Sequence, residues 1–270
     1  MYGVCTRNAE DAAWPDFDRA FYEVKAVSGR HADPIPDAAS VVSCFADTAT
    51  AETTPELVAR DAQGRAATRD HPSLETGHVC PTDEHYREGV LETVADAAAV
   101  SGDVRLDEVG LPPGFCRCDR CADARGDADW TAWRTDALTE FVAEAAARVD
   151  GTTYLSLEPD PYPGHLRKRW GLDVDALAAH VDEFVVPLYD PGYETTYWLE
   201  SLASGFADRL DAPVGVELYA AGVDVDALLD AVGAVEEYAN HIYFGYDAGA
   251  GRAAIRRMRA ERREGETHRP

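Results

Sequence analysis

The sequence predicts an α/β protein of the (β/α)8 TIM barrel class folded as a single domain, and three observations carry that expectation. The chain has 270 residues, close to the roughly 250 of one such barrel. Short runs of β-branched and aromatic residues recur along it, ending in polar positions and separated by Ala, Leu and Val at helical spacing. From residue 153 onward strand and helix alternate without interruption, an order that demands a parallel sheet sheathed by helices.

Taken in order, the strand-like runs are residues 2–5, 41–46, 104–108, 153–158, 184–189, 214–219 and 242–246. Seven such runs favour a closed barrel over an open sheet, and the eighth strand is expected between 55 and 79, where the sequence is irregular. Helical periodicity covers 86–100, 130–149, 174–180, 197–210 and 225–235. Asp83, Asp173 and Asp224 stand at three helix starts, where a short acidic side chain caps free backbone N–H groups. The barrel domain is assigned to residues 1–250, and the Arg- and Glu-rich segment 251–270 reads as a charged C-terminal helix fraying into a disordered tail.

Formal net charge is −25, with Lys25 and Lys168 the two lysines. Acidic residues are spread along the chain, as suits a folded surface kept soluble by negative charge, a balance familiar from halophilic archaea. Nucleic acid is excluded as an expected partner, since phosphate binding needs a basic footprint and only HLRKRW (165–170) and the Arg-rich tail are basic. No apolar run is long enough for a membrane span, and the opening MYGVCTRNAEDAAW lacks the order of a secretory signal. A cytoplasmic location is the expectation. Oligomeric state is not legible.

Alternation along strands sorts side chains between the helix layer and the barrel interior. In VRLDE, Val104 and Leu106 face the helices and Arg105 and Asp107 face in. In TYLSLE, Leu155 and Leu157 face out, leaving Tyr154, Ser156 and Glu158 inside. Val214, Val216 and Leu218 likewise leave Gly215, Glu217 and Tyr219 inside, and Ile242 and Phe244 leave Tyr243 and Asp247 toward the mouth. Three strands thus aim carboxylates at one axis from their C-terminal ends, where barrel active sites lie. The plain alternative is a set of interior salt bridges, with Arg105 neutralising Asp107. Too few interior cations are visible to match all the acids, and buried unmatched acids are costly.

GFCRCDRC places Cys116, Cys118 and Cys121 within six residues, a spacing that chelates one ion and is too tight for ordinary disulfides. Cys80, in GHVCPTDEHYRE, is the expected fourth ligand of a structural zinc. Free buried thiols and an iron–sulfur cluster are the alternatives, and Cys5 and Cys44 read as core residues.

The order VCPTDEHYRE, RLDEVG, FCRCDRC and a Trp-containing helix, over 59–149, resembles the barrel domain of family 42 glycoside hydrolases, the microbial β-galactosidases. The resemblance implies a retaining glycosidase acting on carbohydrate, with Glu108 as acid/base and Glu217 as nucleophile. Asp107 stands where that family has asparagine, and alternation turns Asp107 inward in place of Glu108, so either residue can be the acid. Arg105, Glu158, Tyr219, Tyr243 and Asp247 would orient the acids or hold sugar hydroxyls, and Trp14, Trp130, Trp133, Trp170 and Trp198 are candidates for stacking on sugar rings. Four thiolates would close the zinc shell and make it structural. Two other readings stay open: a non-catalytic carbohydrate-binding barrel, and a tRNA base-exchange transglycosylase, whose zinc loop takes a downstream histidine as fourth ligand.

Overall fold

A computed structural model describes residues 1–267, with side chains through residue 263. Eight parallel strands close into a barrel in sequence order: β1 (Tyr2–Thr6), β2 (Arg19–Lys25), β3 (Ala39–Ser43), β4 (Val104–Asp107), β5 (Thr153–Ser156), β6 (Glu183–Leu188), β7 (Val214–Tyr219) and β8 (His241–Gly245). Helices α1 (Ala9–Ala12), α2 (Thr48–Thr53), α3 (Glu84–Ser101), α4 (Asp119–Arg125), α5 (Trp130–Ala146), α6 (Val174–Leu177), α7 (Tyr197–Ala207), α8 (Val225–Val235) and α9 (Ala248–Thr267) occupy the connections. A π-helical turn, Leu166–Trp170, lies between β5 and α6.

The eighth strand is β2, not a strand between 55 and 79. Arg19–Lys25 alternates as a barrel strand should: Ala20, Tyr22 and Val24 pack in the cluster beneath α1 and α9, while Phe21 enters the barrel interior. The 55–79 segment instead forms isolated antiparallel bridges, Val58 with Val79 and Arg60 with Ala66. It is an excursion of the connection between β3 and α3. Asp83, Asp173 and Asp224 cap α3, α6 and α8 through their side chains, accepting from Tyr86, Ala176 and Asp226 backbone N–H groups. The C-terminal segment is helical through Thr267, and the expected disorder at its end falls on residues outside those described.

Between strands and helices lies the larger core, with Leu106, Leu155, Phe184, Val216, Leu218 and Phe244 facing out as alternation requires. Inside the barrel Cys5, Phe21, Val41, Tyr154, Val185 and Tyr243 fill the lower layers. Phe21 meets the Tyr154 and Tyr243 rings edge-on at centroid distances of 5.0 and 4.8 Å, the arrangement aromatic quadrupoles favour. Gly215 makes room for this plug: a Cβ there would stand 2.4 Å from the Tyr243 ring and 2.5 Å from Glu183 Oε1. The Tyr243 hydroxyl donates to Glu183 Oε1 at 2.7 Å, and His241 Nδ1 lies 2.8 Å from Glu183 Oε2. This closed floor leaves the opposite, C-terminal end of the barrel as the place for chemistry.

Candidate functional site

Four acids gather at that end. Glu217, in β7, is completely buried, and Arg105, in β4, is 3% exposed. The Arg105 guanidinium donates from Nη1 to Glu217 Oε2 and from Nε to Ser156 Oγ at 2.8 Å, while Nη2 stands 3.9 Å from Asp107 Oδ1. One cation therefore serves two acids, and the Tyr189 hydroxyl donates to the other Glu217 oxygen. Both Glu217 oxygens are thereby engaged, one by a guanidinium and one by a phenol. Gly245, in β8, permits this packing, since a Cβ there would lie 2.9 Å from Glu217 Oε1.

Asp107 and Glu108 stand side by side where β4 ends. Strict alternation would send Glu108 to the helix layer. Its φ of +52° breaks the pleat, a conformation that side-chain-bearing residues seldom adopt. The strand's neighbour still holds the backbone there, because Cys44 and Phe45 N–H groups donate to the Asp107 and Glu108 carbonyls at 2.8 and 3.0 Å. Burial, then the Asp107 and Glu158 charges, push the Glu108 carboxyl up to about 8. Burial and Asp107 push Glu158 up to about 7. The mouth thus holds Glu217, fixed by Arg105 and Tyr189, together with two acids whose proton affinity is raised toward neutral pH, the range that acid–base chemistry needs.

Tyrosines surround the acids. Tyr189, Tyr219 and Tyr246 lie 5.7 to 6.2 Å apart by ring centroid, and Tyr246 is held at a φ of +69° just after β8. Arg7 stacks on the Tyr246 ring at 5.0 Å and pairs with Glu23, which also receives Arg30. Sequence reasoning missed Tyr189 and Tyr246 as site residues, although both end expected strands. It missed Glu23 because β2 was not read as a strand. Lys25, also in β2, is 4% exposed and reaches the Ser43 carbonyl, Asp47 and the Tyr86 hydroxyl at 2.9 to 3.1 Å. That fully paired lysine ties β2, β3 and α3 together.

Of the other expected ligand-holding residues, Tyr219 and Glu158 are at the mouth, but Tyr243 is not. Its side chain points to the floor and is spent on Glu183. Asp247 caps the start of α9, accepting from Ala250 N–H at 2.9 Å. Most tryptophans have structural partners: Trp14 lies under the Arg252 guanidinium at 3.8 Å, Trp130 against Trp133 at 5.3 Å and under Arg117 at 4.3 Å, and Trp198 against the core. Trp170 alone among the five lines a groove that reaches Glu158.

Cys80, Cys116, Cys118 and Cys121 converge beside the mouth with all four Sγ atoms within 4.8 Å of one another. Cys80 Sγ stands 3.5 Å from that of Cys118 and 3.4 Å from that of Cys121. Four sulfurs on one tetrahedral zinc at about 2.3 Å lie about 3.8 Å apart, so the cluster could hold one metal ion of that kind. Its surroundings suit the negative charge of four thiolates. Arg60 N–H donates to Cys116 Sγ at 3.3 Å, Thr82 Oγ1 is 3.1 Å from Cys80 Sγ, and the Arg120 guanidinium lies against Cys80. Cys80 precedes α3, and the other three lead from β4 into α4. No histidine joins the cluster among the described residues, which leaves the base-exchange reading without its ligand set. Cys5 and Cys44 are buried in the core as expected.

No protein-family model matches the chain, and a search of curated proteins finds no match. Solved structures do match it in fold. An α-L-fucosidase isoenzyme from Paenibacillus thiaminolyticus superposes with a TM-score of 0.66 at 12% identity, over 97% of this chain and 49% of that one. A class V chitinase from Pseudomonas fluorescens gives 0.56 at 13% identity over 95% and 98%. The spore cortex-lytic enzyme SleL of Bacillus megaterium gives 0.50 at 10% identity over 95% and 73%. The chain spans about half the length of the fucosidase. At these identities the likeness is one of fold alone, that of a (β/α)8 barrel.

Proposed function

We propose that the chain is a glycoside hydrolase acting at the C-terminal mouth of its barrel. The observation that carries this reading is a pair of acids at the mouth: Glu217 on β7, held by Arg105 and Tyr189, and Glu108 at the end of β4, whose carboxyl is pushed up to about 8 by burial, Asp107 and Glu158. Glycosidic cleavage needs such a pair: a carboxylic acid to protonate the departing oxygen and a carboxylate to meet the sugar cation. Glu217 is assigned as nucleophile and Glu108 as acid/base, with Asp107 raising the proton affinity of Glu108 and sharing Arg105 with Glu217. The glycosidase folds that superpose on the chain support the reaction class. Retention is proposed on the family 42 resemblance, and it expects the two carboxyl groups to lie about 5 to 5.5 Å apart.

The four thiols would hold zinc as a structural ion. Four sulfur donors leave no position for water or substrate, so the ion would supply rigidity to the segment after Glu108 and no step of the reaction. The family 42 resemblance and the cytoplasmic, salt-adapted setting belong to the same proposal.

One observation favours a second reading. Glu217 is completely buried with both oxygens engaged, as it would be in a barrel that binds sugar without turnover. A panel of nitrophenyl glycosides decides between them. The hydrolase reading expects turnover of at least one, with Glu217→Gln and Glu108→Gln each lowering kcat by at least about a thousandfold. Absence of turnover across the panel, or undiminished rates in Glu217→Gln, overturns it.

A further inference from the structure

A groove of about 390 Å³ opens beside the acids, lined by Glu158, Asp160, Tyr162, His165, Arg169 and Trp170 among others. From it we infer that the substrate is a neutral oligosaccharide or polysaccharide whose further sugar residues lie along this groove, away from the barrel axis. The inference rests on the glycosidase reading for the bond that is cut. It goes beyond that reading in naming the length and charge of the substrate and the residues that read them.

The groove is continuous with the acid set through Glu158, which belongs to both. Its volume falls in the range of about 300 to 1,000 Å³ of small-ligand sites. Tyr162, 67% exposed, is among the most exposed aromatics of the protein, and its ring lies 5.3 Å from that of His165. An aromatic face left open beside carboxylates suits a sugar ring, which offers apolar C–H faces and a rim of hydroxyls. The partly buried Trp170 supplies a second aromatic surface, an indole.

The groove is built, not a chance gap between loops. Asp160 accepts from Arg169 Nη1 at 2.9 Å and faces His165 Nδ1 at 3.1 Å, which closes the segment onto the π-helical turn. Buried Arg134, in α5, holds that turn from below, donating to the Lys168 carbonyl and to the Phe115 carbonyl, both at 2.8 Å. Phe115 adjoins Cys116, so the thiol cluster and the groove share one support. Leu111 N–H donates to the Trp170 carbonyl at 3.1 Å, and Leu111 lies three residues beyond Glu108. On the far side Pro161 sits against Gly205 of α7, where a Cβ would come within 2.9 Å of the proline ring. Groove and acid are thereby held in fixed register.

Charge decides the class of sugar. Arg169 and His165 are committed to Asp160, and Arg167 on the same turn is paired with Asp173 at 3.2 Å. Among the described residues lining the groove, Arg169 and His165 already have an acidic partner, Glu158 adds a further acid, and the chain carries a net charge of −25, a setting that disfavours a uronate or sulfate. Hydroxyl groups, in contrast, find both acceptors and donors.

The test is calorimetric titration of the full chain as Glu217→Gln, which blocks turnover, with neutral oligosaccharides of one to five units from several series and with oligogalacturonates. For at least one neutral series, affinity is expected to rise at least tenfold from one unit to three. Tyr162→Ala, introduced into that background, should remove the gain, and Tyr197→Ala, on an exposed ring outside the groove, should retain it. Length-independent affinity, a gain that survives Tyr162→Ala, binding to no neutral series, or preference for the uronates overturns the inference. Length-dependent binding in a wild-type chain that cleaves no glycoside leaves the groove assignment standing and removes the hydrolase reading alone.

Discussion

Glu108 concentrates the consequences of one backbone choice. Its positive φ brings its carboxyl into the field of Asp107 and Glu158 and away from the helix layer. A carboxyl raised to about 8 in the folded chain and near its ordinary 4.5 when unfolded makes the folded state the stronger proton binder between those values. Stability conferred by this group is therefore complete below the unfolded value and is lost as pH rises through about 8. Glu108→Gln removes that loss. The melting temperature of wild type, followed from pH 5 to pH 9, should fall more steeply than that of the variant, and parallel curves would refute the assignment. Catalysis follows the same proton, so kcat should decline as pH rises past 8. At Gly245 the question is steric: Ala there presses a methyl to 2.9 Å from Glu217 Oε1, where neither Arg105 nor Tyr189 can yield without losing its hydrogen bond. Gly245→Ala should lower kcat by about a hundredfold or more, with a stability cost of about 1 to 3 kcal/mol measured by urea unfolding.

At the scale of elements, seven strands were legible because their outward residues are large and apolar and recur with period two: Leu106, Leu155, Val216 and Phe244 report the helix layer wherever they occur. β2 was not, because charges at Arg19, Glu23 and Lys25 mask the alternation of Ala20, Tyr22 and Val24. Those charges are affordable only through partners brought from elsewhere in the chain, Asp103, Arg7 and Asp47, which no local pattern reveals. Alternation also found Arg105 and Glu217 but could not foresee that β8 turns Tyr243 to the floor, since periodicity gives the face and not the height within the barrel. The cysteines were legible from spacing alone, and the fold adds their office: α3 and the segment between β4 and α4 meet at Cys80. With metal a thousandfold above its dissociation constant, such a clamp stabilises by about 4 kcal/mol, so stripping it with a strong chelator should lower the melting temperature by roughly 8 to 16 °C. Cys118→Ser should lose metal by elemental analysis and melt near the chelated wild type. Full metal content in that variant would argue against the cluster.

For the molecule as a whole, charge outweighs any single contact. Acidic side chains number 50 and Lys plus Arg 25, so half of the acids have no cation to themselves, however the pairs are drawn. Their mutual repulsion acts against the compact state and is screened over about 10 Å at 0.1 M salt but about 3 Å at 1 M. Surface pairs such as Arg69 with Glu52 and Arg257 with Asp226 weaken under the same screening, but exposed pairs contribute about 0 to 1 kcal/mol each. The buried pairs that shape the site, Arg105 with Glu217 and Lys25 with Asp47, are shielded from solvent ions and change little. Repulsion is therefore the component that salt removes. Raising potassium chloride from 0.1 to 1 M should stabilise the fold by about 2 kcal/mol, a rise in melting temperature of roughly 4 to 8 °C. Chloride is the proper salt because sulfate also strengthens apolar burial by exclusion from the surface. Most of the gain should arrive below 1 M, where the screening length has already fallen below the spacing of surface charges. A melting temperature that stays flat or falls over that range would mean that the acidic excess is neutralised by the fold itself and not by the solution around it.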